Sequence, residues 1–195
     1  TELNLVGNNG YELTEEGVRV MHDDLGIKTD LDLRSTSLKS SPIGSDVNFV
    51  VVSISNYINA FSETDKYRKV LQTFADIDNY PIYFHCMGGA DRTGTVGVIV
   101  EALAGADEAD LSVDFELTTF SNVGARTRNS TSYKYKELIA GLKEYDGATL
   151  QEKTENYCVK TLGLTRQEVS NITSLMGGNK VVFADVNPIE VKENT

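Results

Sequence analysis

The stretch that most restricts the fold runs from Tyr80 to Val100 and reads YPIYFHCMGGADRTGTVGVIV. Two apolar runs flank a short turn that carries glycines, a cysteine and charges. The first, PIYFH, is short and rich in aromatic and branched residues, which predicts a strand. The second, TGTVGVIVEALAG, is apolar nearly all round, which predicts a buried central helix. Strand, tight turn and buried helix in that order belong to an α/β sheet with helices packed on it.

The flanking sequence extends that architecture. LTEEGVRVMHDDLG reads as a first helix, with Thr14 as N-cap and Gly26 just past its end. IKTDLDL alternates Ile27, Thr29, Leu31 and Leu33 against Lys28, Asp30 and Asp32, the period of a strand. NFVVVSI is a continuous β-branched run and predicts a more buried strand. SETDKYRKVLQTFADI predicts a helix with Ser62 and Asp65 at capping-box spacing and an apolar face of Val70, Leu71, Phe74 and Ile77. Beyond the central helix, DEADLSVDFELTTF, SYKYKELIAGLKEY, LQEKTENYCVKTLG and TRQEVSNITSLMG read as helices, the last opened by a Thr165–Glu168 capping box. The tail KVVFADVNPIEV either adds an edge strand or packs along the surface. The expected fold is α/β. A central twisted sheet is flanked by helices, the cysteine turn joins a central strand to a helix, and the C-terminal half is helical. The 195 residues suit one domain over 1–195, with a core at about 11–177 and a tail at 178–195.

Composition limits the partners. Net charge is −11, which argues against nucleic acid or an anionic membrane as the main partner. An anionic substrate therefore needs a local positive site. No apolar run approaches the roughly 20 residues that span a bilayer, so stable membrane insertion is not expected. The chain opens on Thr1, without an initiator Met or signal-peptide pattern. This predicts a processed or trimmed soluble product, cytoplasmic or secreted. Cys86 and Cys158 are too few for a disulfide scaffold. Cys158 reads as a core thiol. The two histidines are far apart, so no zinc site is expected, and no cofactor is called for.

The turn HCMGGADRTG can do specific chemistry. Gly88 and Gly89 permit unusual backbone angles, so the amides of Met87, Gly88, Gly89, Ala90, Asp91 and Arg92 can point inward. The helix that follows adds unpaired N–H groups and a positive dipole end. Such a nest binds a tetrahedral dianion. Arg92 adds a bidentate fork. The same surroundings favour thiolate at Cys86, below the usual thiol value of about 8.5. A thiolate facing a bound phosphoryl group is a nucleophile for in-line attack. Asp91 is the nearest carboxylate for proton transfer. Thr93 is expected to donate a hydrogen bond to the sulfur, and His85 to fix the loop through its ring nitrogens. Asp30, Asp32 and Asp65 are the alternative acids. Asp32 and Arg34 read as a structural pair, and Asp65 as a capping residue.

HCMGGADRTG resembles the H-C-x5-R-[ST] signature of cysteine-dependent phosphatases. Its DRTG ending resembles the bacterial tyrosine/lipid phosphatase family, whose loops commonly read HCxxGKDRTG. LTEEGVRVMHDDLGIKTDLDLRS is similar to that family's helix, LGI, strand and DLRS segment, and CVKTLGLTRQEVSNITSLM to its C-terminal helix pair. Together these segments cover most of residues 11–177. The resemblance implies a protein tyrosine phosphatase-like fold. It also implies Cys86 as nucleophile, Arg92 as phosphate clamp and Asp91 as acid/base. The implied substrate is a phosphorylated protein, tyrosine or dual-specificity, or a small phosphomonoester.

One position departs from the pattern. Ala90 stands where the family often has Lys, which in lipid-directed loops is expected at the rim against a second phosphate. Its absence favours singly phosphorylated substrates over phosphoinositides and inositol phosphates. Arg126 and Arg128 of NVGARTRNS would restore charge if their loop folded over the site, but the segment reads as a solvated connection. Two further classes compete. One is a catalytically weak phosphate-binding module. The other is thiol chemistry such as sulfur transfer or arsenate reduction.

Overall fold

The computed structural model describes residues 13–120 and 123–177. Three parallel strands, β1 (Thr29–Asp32), β2 (Asn48–Val51) and β3 (Ile82–His85), form a sheet in the order β2-β1-β3. Leu31 pairs with Val50 on one side and Phe84 on the other. Seven α-helices surround the sheet among the described residues: α1 (Glu15–Arg19), α2 (Thr64–Ala75), α3 (Arg92–Ala104), α4 (Glu108–Leu117), α5 (Tyr135–Lys143), α6 (Leu150–Lys160) and α7 (Arg166–Leu175). The expected α/β architecture with a helical C-terminal half is present. Among the described residues no helix is long and apolar enough to cross a membrane.

The burial order of the strands differs from expectation. All four residues of β1 are buried, whereas β2, predicted to be the more buried strand, is an edge with Asn48 and Val51 exposed. The alternating Asp30 and Asp32 mark a second buried face, held by ion pairs, instead of a solvent face. The strand that feeds the cysteine loop also differs. Among the described residues β3 pairs only with β1, so the central strand is β1 and the loop leaves an edge strand.

α3 is the central helix, as its all-round apolarity predicts. Val96, Ile99, Ala102 and Leu103 are fully buried, and α3 packs against α4, α6 and α7. Truncating Leu103 to alanine would cost about 2–5 kcal/mol. Gly105, at φ +100, ends the helix. Thr14 caps α1 by accepting the Gly17 N–H at 3.0 Å, and the helix then widens into a π-turn at Val20–Asp24. The Thr165–Glu168 capping box opens α7 as expected.

The box expected at Ser62 and Asp65 does not form. α2 starts two residues after Ser62, whose hydroxyl donates back to the Asn59 carbonyl in the preceding 3-10 turn, Tyr57–Phe61. Asp65 instead pairs with Arg68 on the surface. Val70, Leu71 and Phe74 are buried as predicted, but Ile77 lies beyond the helix and is exposed. The tail expected at 178–195 lies outside the described residues.

Candidate active site

The C-terminal end of β1 is built from buried charge. Asp32 takes a two-pronged contact from Arg34, Nε to Oδ1 at 2.8 Å and Nη2 to Oδ2 at 2.8 Å, and also accepts the Arg34 N–H at 2.9 Å. Asp30 Oδ1 meets His85 Nε2 at 2.9 Å, and its Oδ2 accepts the Ser41 hydroxyl at 2.7 Å. Both carboxylates are fully buried. Desolvated charge of this kind persists only when fully paired. These contacts pin His85, the last residue of β3, and Tyr83 stacks on its ring at 5.1 Å. Asp30 and Asp32 are thereby sealed from solvent and tie the ends of β1 and β3 together. Asp65 is on the surface in its pair with Arg68.

Cys86 follows directly and is 3% exposed. Burial alone would push its thiol up. The Thr93 hydroxyl and amide, the Gly89 amide and the Arg92 charge outweigh burial and hold the thiol below its ordinary value. Thr93 Oγ1 is buried and makes no full hydrogen bond elsewhere, so its influence falls on the sulfur. Arg92 Nη1 lies 3.4 Å from the Leu33 carbonyl, which ties the guanidinium to the end of β1.

The two loop glycines meet different needs. Gly89 is left-handed at φ +72, where a side chain would be strained. Gly88 is not, but a Cβ there would lie 2.5 Å from Val123 Cγ1. The segment after α4 thus lies directly on the cysteine loop and is not the solvated connection its composition suggests. Its two arginines are spent on carboxylates. Arg128 forks onto Glu116 at 3.0 and 2.6 Å and holds that carboxyl down to about 2. Arg126 is 6% exposed and reaches Asp91 at 3.3 and 3.4 Å.

Asp91 occupies the N-cap position of α3, yet its side chain caps nothing. It turns instead to Arg126 and to Tyr57, whose hydroxyl donates to Oδ1 at 2.7 Å. Thr95 completes the arrangement. Its hydroxyl donates to the Asp91 carbonyl at 2.7 Å and accepts the Tyr57 N–H at 2.8 Å. Tyr57, Thr95 and Arg126 as partners of Asp91 have no local signature. Only the two arginines of NVGARTRNS stood out in the sequence.

Met87 is half exposed at the loop, whereas Ala90 is 4% exposed. Ala90 is therefore not an open rim position. It lines a cavity of about 280 Å³ between α3 and α4, together with Tyr57, Gly94, Glu101, Asp114 and Phe115. Glu101 is half-buried there. Burial first, and the charge of Asp114 second, push its carboxyl up to about 7. Cys158 is fully buried in α6, and burial pushes its thiol far above the usual range.

A comparison with curated proteins returns no match. The sequence model of the tyrosine phosphatase family matches residues 7–176. That span takes in all three strands, the cysteine loop with its lowered thiol, the covering segment and the C-terminal helices, and on it the chain belongs to the tyrosine phosphatase family.

Proposed function

We propose that the protein hydrolyses phosphomonoesters through a cysteinyl-phosphate intermediate and acts on phosphotyrosine or dual-specificity protein substrates. The observation that carries this reading is the lowered thiol of Cys86, on a strand–loop–helix turn with Arg92 at the helix start. A dianionic phosphoryl group sits against the amides of Met87 to Arg92, with the guanidinium of Arg92 on its oxygens. The thiolate attacks phosphorus in line. The bond to the leaving oxygen breaks as Asp91 gives that oxygen a proton. Asp91, now a carboxylate, takes a proton from water as the water attacks phosphorus. The sulfur–phosphorus bond breaks, phosphate leaves and the thiolate returns facing Thr93.

Singly phosphorylated substrates are favoured because the arginines around the loop are committed, Arg34 to Asp32, Arg126 to Asp91 and Arg128 to Glu116. None of the three is left to meet a second phosphate. The test is Cys86→Ser with p-nitrophenyl phosphate, alongside trapping of phosphoenzyme in the parent. Turnover should vanish while inhibition-type binding of inorganic phosphate persists. Serine turnover within about tenfold of the parent, or no phosphoenzyme after acid quench, overturns the covalent route. Arsenate reduction or sulfur transfer from thiosulfate, with no phosphate release, would mark thiol chemistry instead.

A further inference from the structure

We infer that Tyr57 and Arg126 form a two-donor clamp that positions Asp91 for proton transfer, an inference that rests on Asp91 being the donor. The two residues come from segments 34 and 35 positions away from Asp91 and converge on one carboxylate.

Tyr57 is held at φ +50, a left-handed conformation that a bulky side chain rarely adopts. The surroundings fix it there. The Tyr57 ring is buried, in a T-shaped contact with Phe115 at 6.4 Å and 80°. The Tyr157 hydroxyl holds the Ala60 carbonyl of the same turn at 2.8 Å, and the Tyr157 ring packs on Phe61. The strain leaves both polar ends of Tyr57 on the start of α3. Its N–H reaches Asp91 through Thr95, and its hydroxyl reaches Asp91 Oδ1 directly. Burial, then the neighbouring carboxylate, push the phenol far above its usual range, so the hydroxyl keeps its proton and donates it to the hydrogen bond with Asp91.

Arg126 is fixed as firmly. Nη1 donates to the Val123 and Gly124 carbonyls and to the Tyr133 hydroxyl, and the guanidinium lies 3.8 Å from the Tyr133 ring centre. Nη2 is left for Asp91, and Nε is buried without a partner. The guanidinium therefore delivers its charge to Asp91 and not to a substrate.

The two carboxylate oxygens are not equivalent. Oδ1 receives Tyr57 at 2.7 Å and Arg126 at 3.3 Å, while Oδ2 has only the 3.4 Å contact. Oδ1 is pinned, and Oδ2 is the oxygen left to hand over the proton in the proposed transfer. The side chain keeps 34% exposure, which leaves it open to a leaving group. An aspartate at an N-cap ordinarily accepts helix N–H groups. This one is drawn off that task by a strained tyrosine and a buried arginine, a costly arrangement that a mere helix start does not require.

The experiment compares Tyr57→Phe, Arg126→Gln and Arg126→Lys, each alone and combined with Asp91→Asn. Substrates are phenyl phosphate, a poor leaving group, and p-nitrophenyl phosphate, a good one. Each of Tyr57→Phe and Arg126→Gln should lower kcat/KM on phenyl phosphate by about 10- to 100-fold. The loss on p-nitrophenyl phosphate should stay within about threefold, and inhibition by inorganic phosphate should not change. Neither change should cost more in the Asp91→Asn background, and Arg126→Lys should recover part of the loss. Equal losses on both substrates, or losses that multiply with Asp91→Asn, overturn the clamp while leaving Asp91 as donor. If Asp91→Asn itself loses equally on both substrates, the donor assignment falls and the clamp with it. Tyr57→Phe keeps the ring and its packing, so a folding defect in an Arg126 variant does not blunt the test.

Discussion

Gly88 is the point where the cysteine loop and the segment carrying Arg126 touch, so Gly88→Ala probes their coupling. The new methyl would lie 2.5 Å from Val123 Cγ1. Carbon atoms settle about 3.5–4.0 Å apart, so Val123 must retreat by about 1–1.5 Å. Gly88 is outside the left-handed region, so the change adds a clash without backbone strain. The Val123 carbonyl holds Arg126 Nη1 at 3.2 Å, and Nη2 reaches Asp91 at no less than 3.3 Å. A retreat of that size carries the ion pair past about 4 Å, where it stops counting as one. Gly88→Ala should therefore behave as Arg126→Gln does, with phenyl phosphate losing far more than p-nitrophenyl phosphate. Stability should fall by about 1 kcal/mol, the low end for overpacking, because Val123 is partly exposed and can yield. The structure also supplies the rescue. Val123 Cβ lies 3.5 Å from the same point, an ordinary contact, so Val123→Ala in the Gly88→Ala background should restore the ratio. The assay is kcat/KM for both substrates in the four proteins, with urea denaturation beside it. An unchanged ratio in Gly88→Ala refutes the coupling. So does a double variant that folds but fails to recover, since the alanine would then act on the phosphate cradle itself, and inhibition by inorganic phosphate would weaken.

Thr93→Val removes the hydroxyl that faces the sulfur, so the thiol should rise and the acidic limb of kcat/KM should move to higher pH. Iodoacetamide alkylation against pH reads the same shift, and an unmoved midpoint would show that the hydroxyl does not act on Cys86. Glu101→Gln should stabilise the fold at pH 8 by about 1 kcal/mol, because a half-buried carboxyl no longer has to ionise there. The carboxyl is raised to about 7 in the fold, so its ionisation costs stability as pH climbs from 4.5 through 7. The gain should vanish below pH 4.5, and an equal gain at pH 4 and pH 8 would point to packing. Ala90→Lys should not raise activity on inositol polyphosphates relative to phosphotyrosine, because position 90 is buried on the cavity that holds Glu101 and Asp114. A clear rise in matched assays would place the ammonium at the phosphate rim.

Local features were legible and convergent ones were not. The cysteine loop is contiguous, so spacing alone put Cys86, Arg92 and the α3 N-terminus together. The all-round apolarity of α3 marked it as central, and Thr14 and Thr165 announced their helices. The burial of β1 relative to β2 is not legible because Asp30 and Asp32 alternate as a solvent face would. In the fold Arg34, His85 and Ser41 satisfy them, so polar residues at a strand period sit in the core. Ser62 and Asp65 had the spacing of a cap, but the turn through Tyr57 consumed Ser62. Tyr57 carries no glycine or asparagine to signal a left-handed angle, since the surrounding packing and not its own preference holds it there. Arg126 was visible as charge, but what it pairs with depends on where a connection 35 residues from Asp91 comes to rest.

The paired acids bear on how a chain of net charge −11 receives a dianion. Screening shortens the reach of the global field to about 8–10 Å, so the carboxylates nearest the loop decide the local sign. Three of these have donors of their own, while Glu101 and Asp114 lie in the cavity behind Ala90. Asp32 has Arg34, Asp30 has His85 and Ser41, and Asp91 has Arg126 and Tyr57. Among the described residues Arg92 makes one long contact to a carbonyl and pairs with no carboxylate. The loop amides, the α3 dipole and Arg92 then act on a background from which the charges of Asp30, Asp32 and Asp91 have been offset. On the proposed function, the buried pairs around β1 and the segment over Gly88 thus serve one electrostatic end, which is to keep their own carboxylates from repelling a phosphoryl group at the cysteine loop.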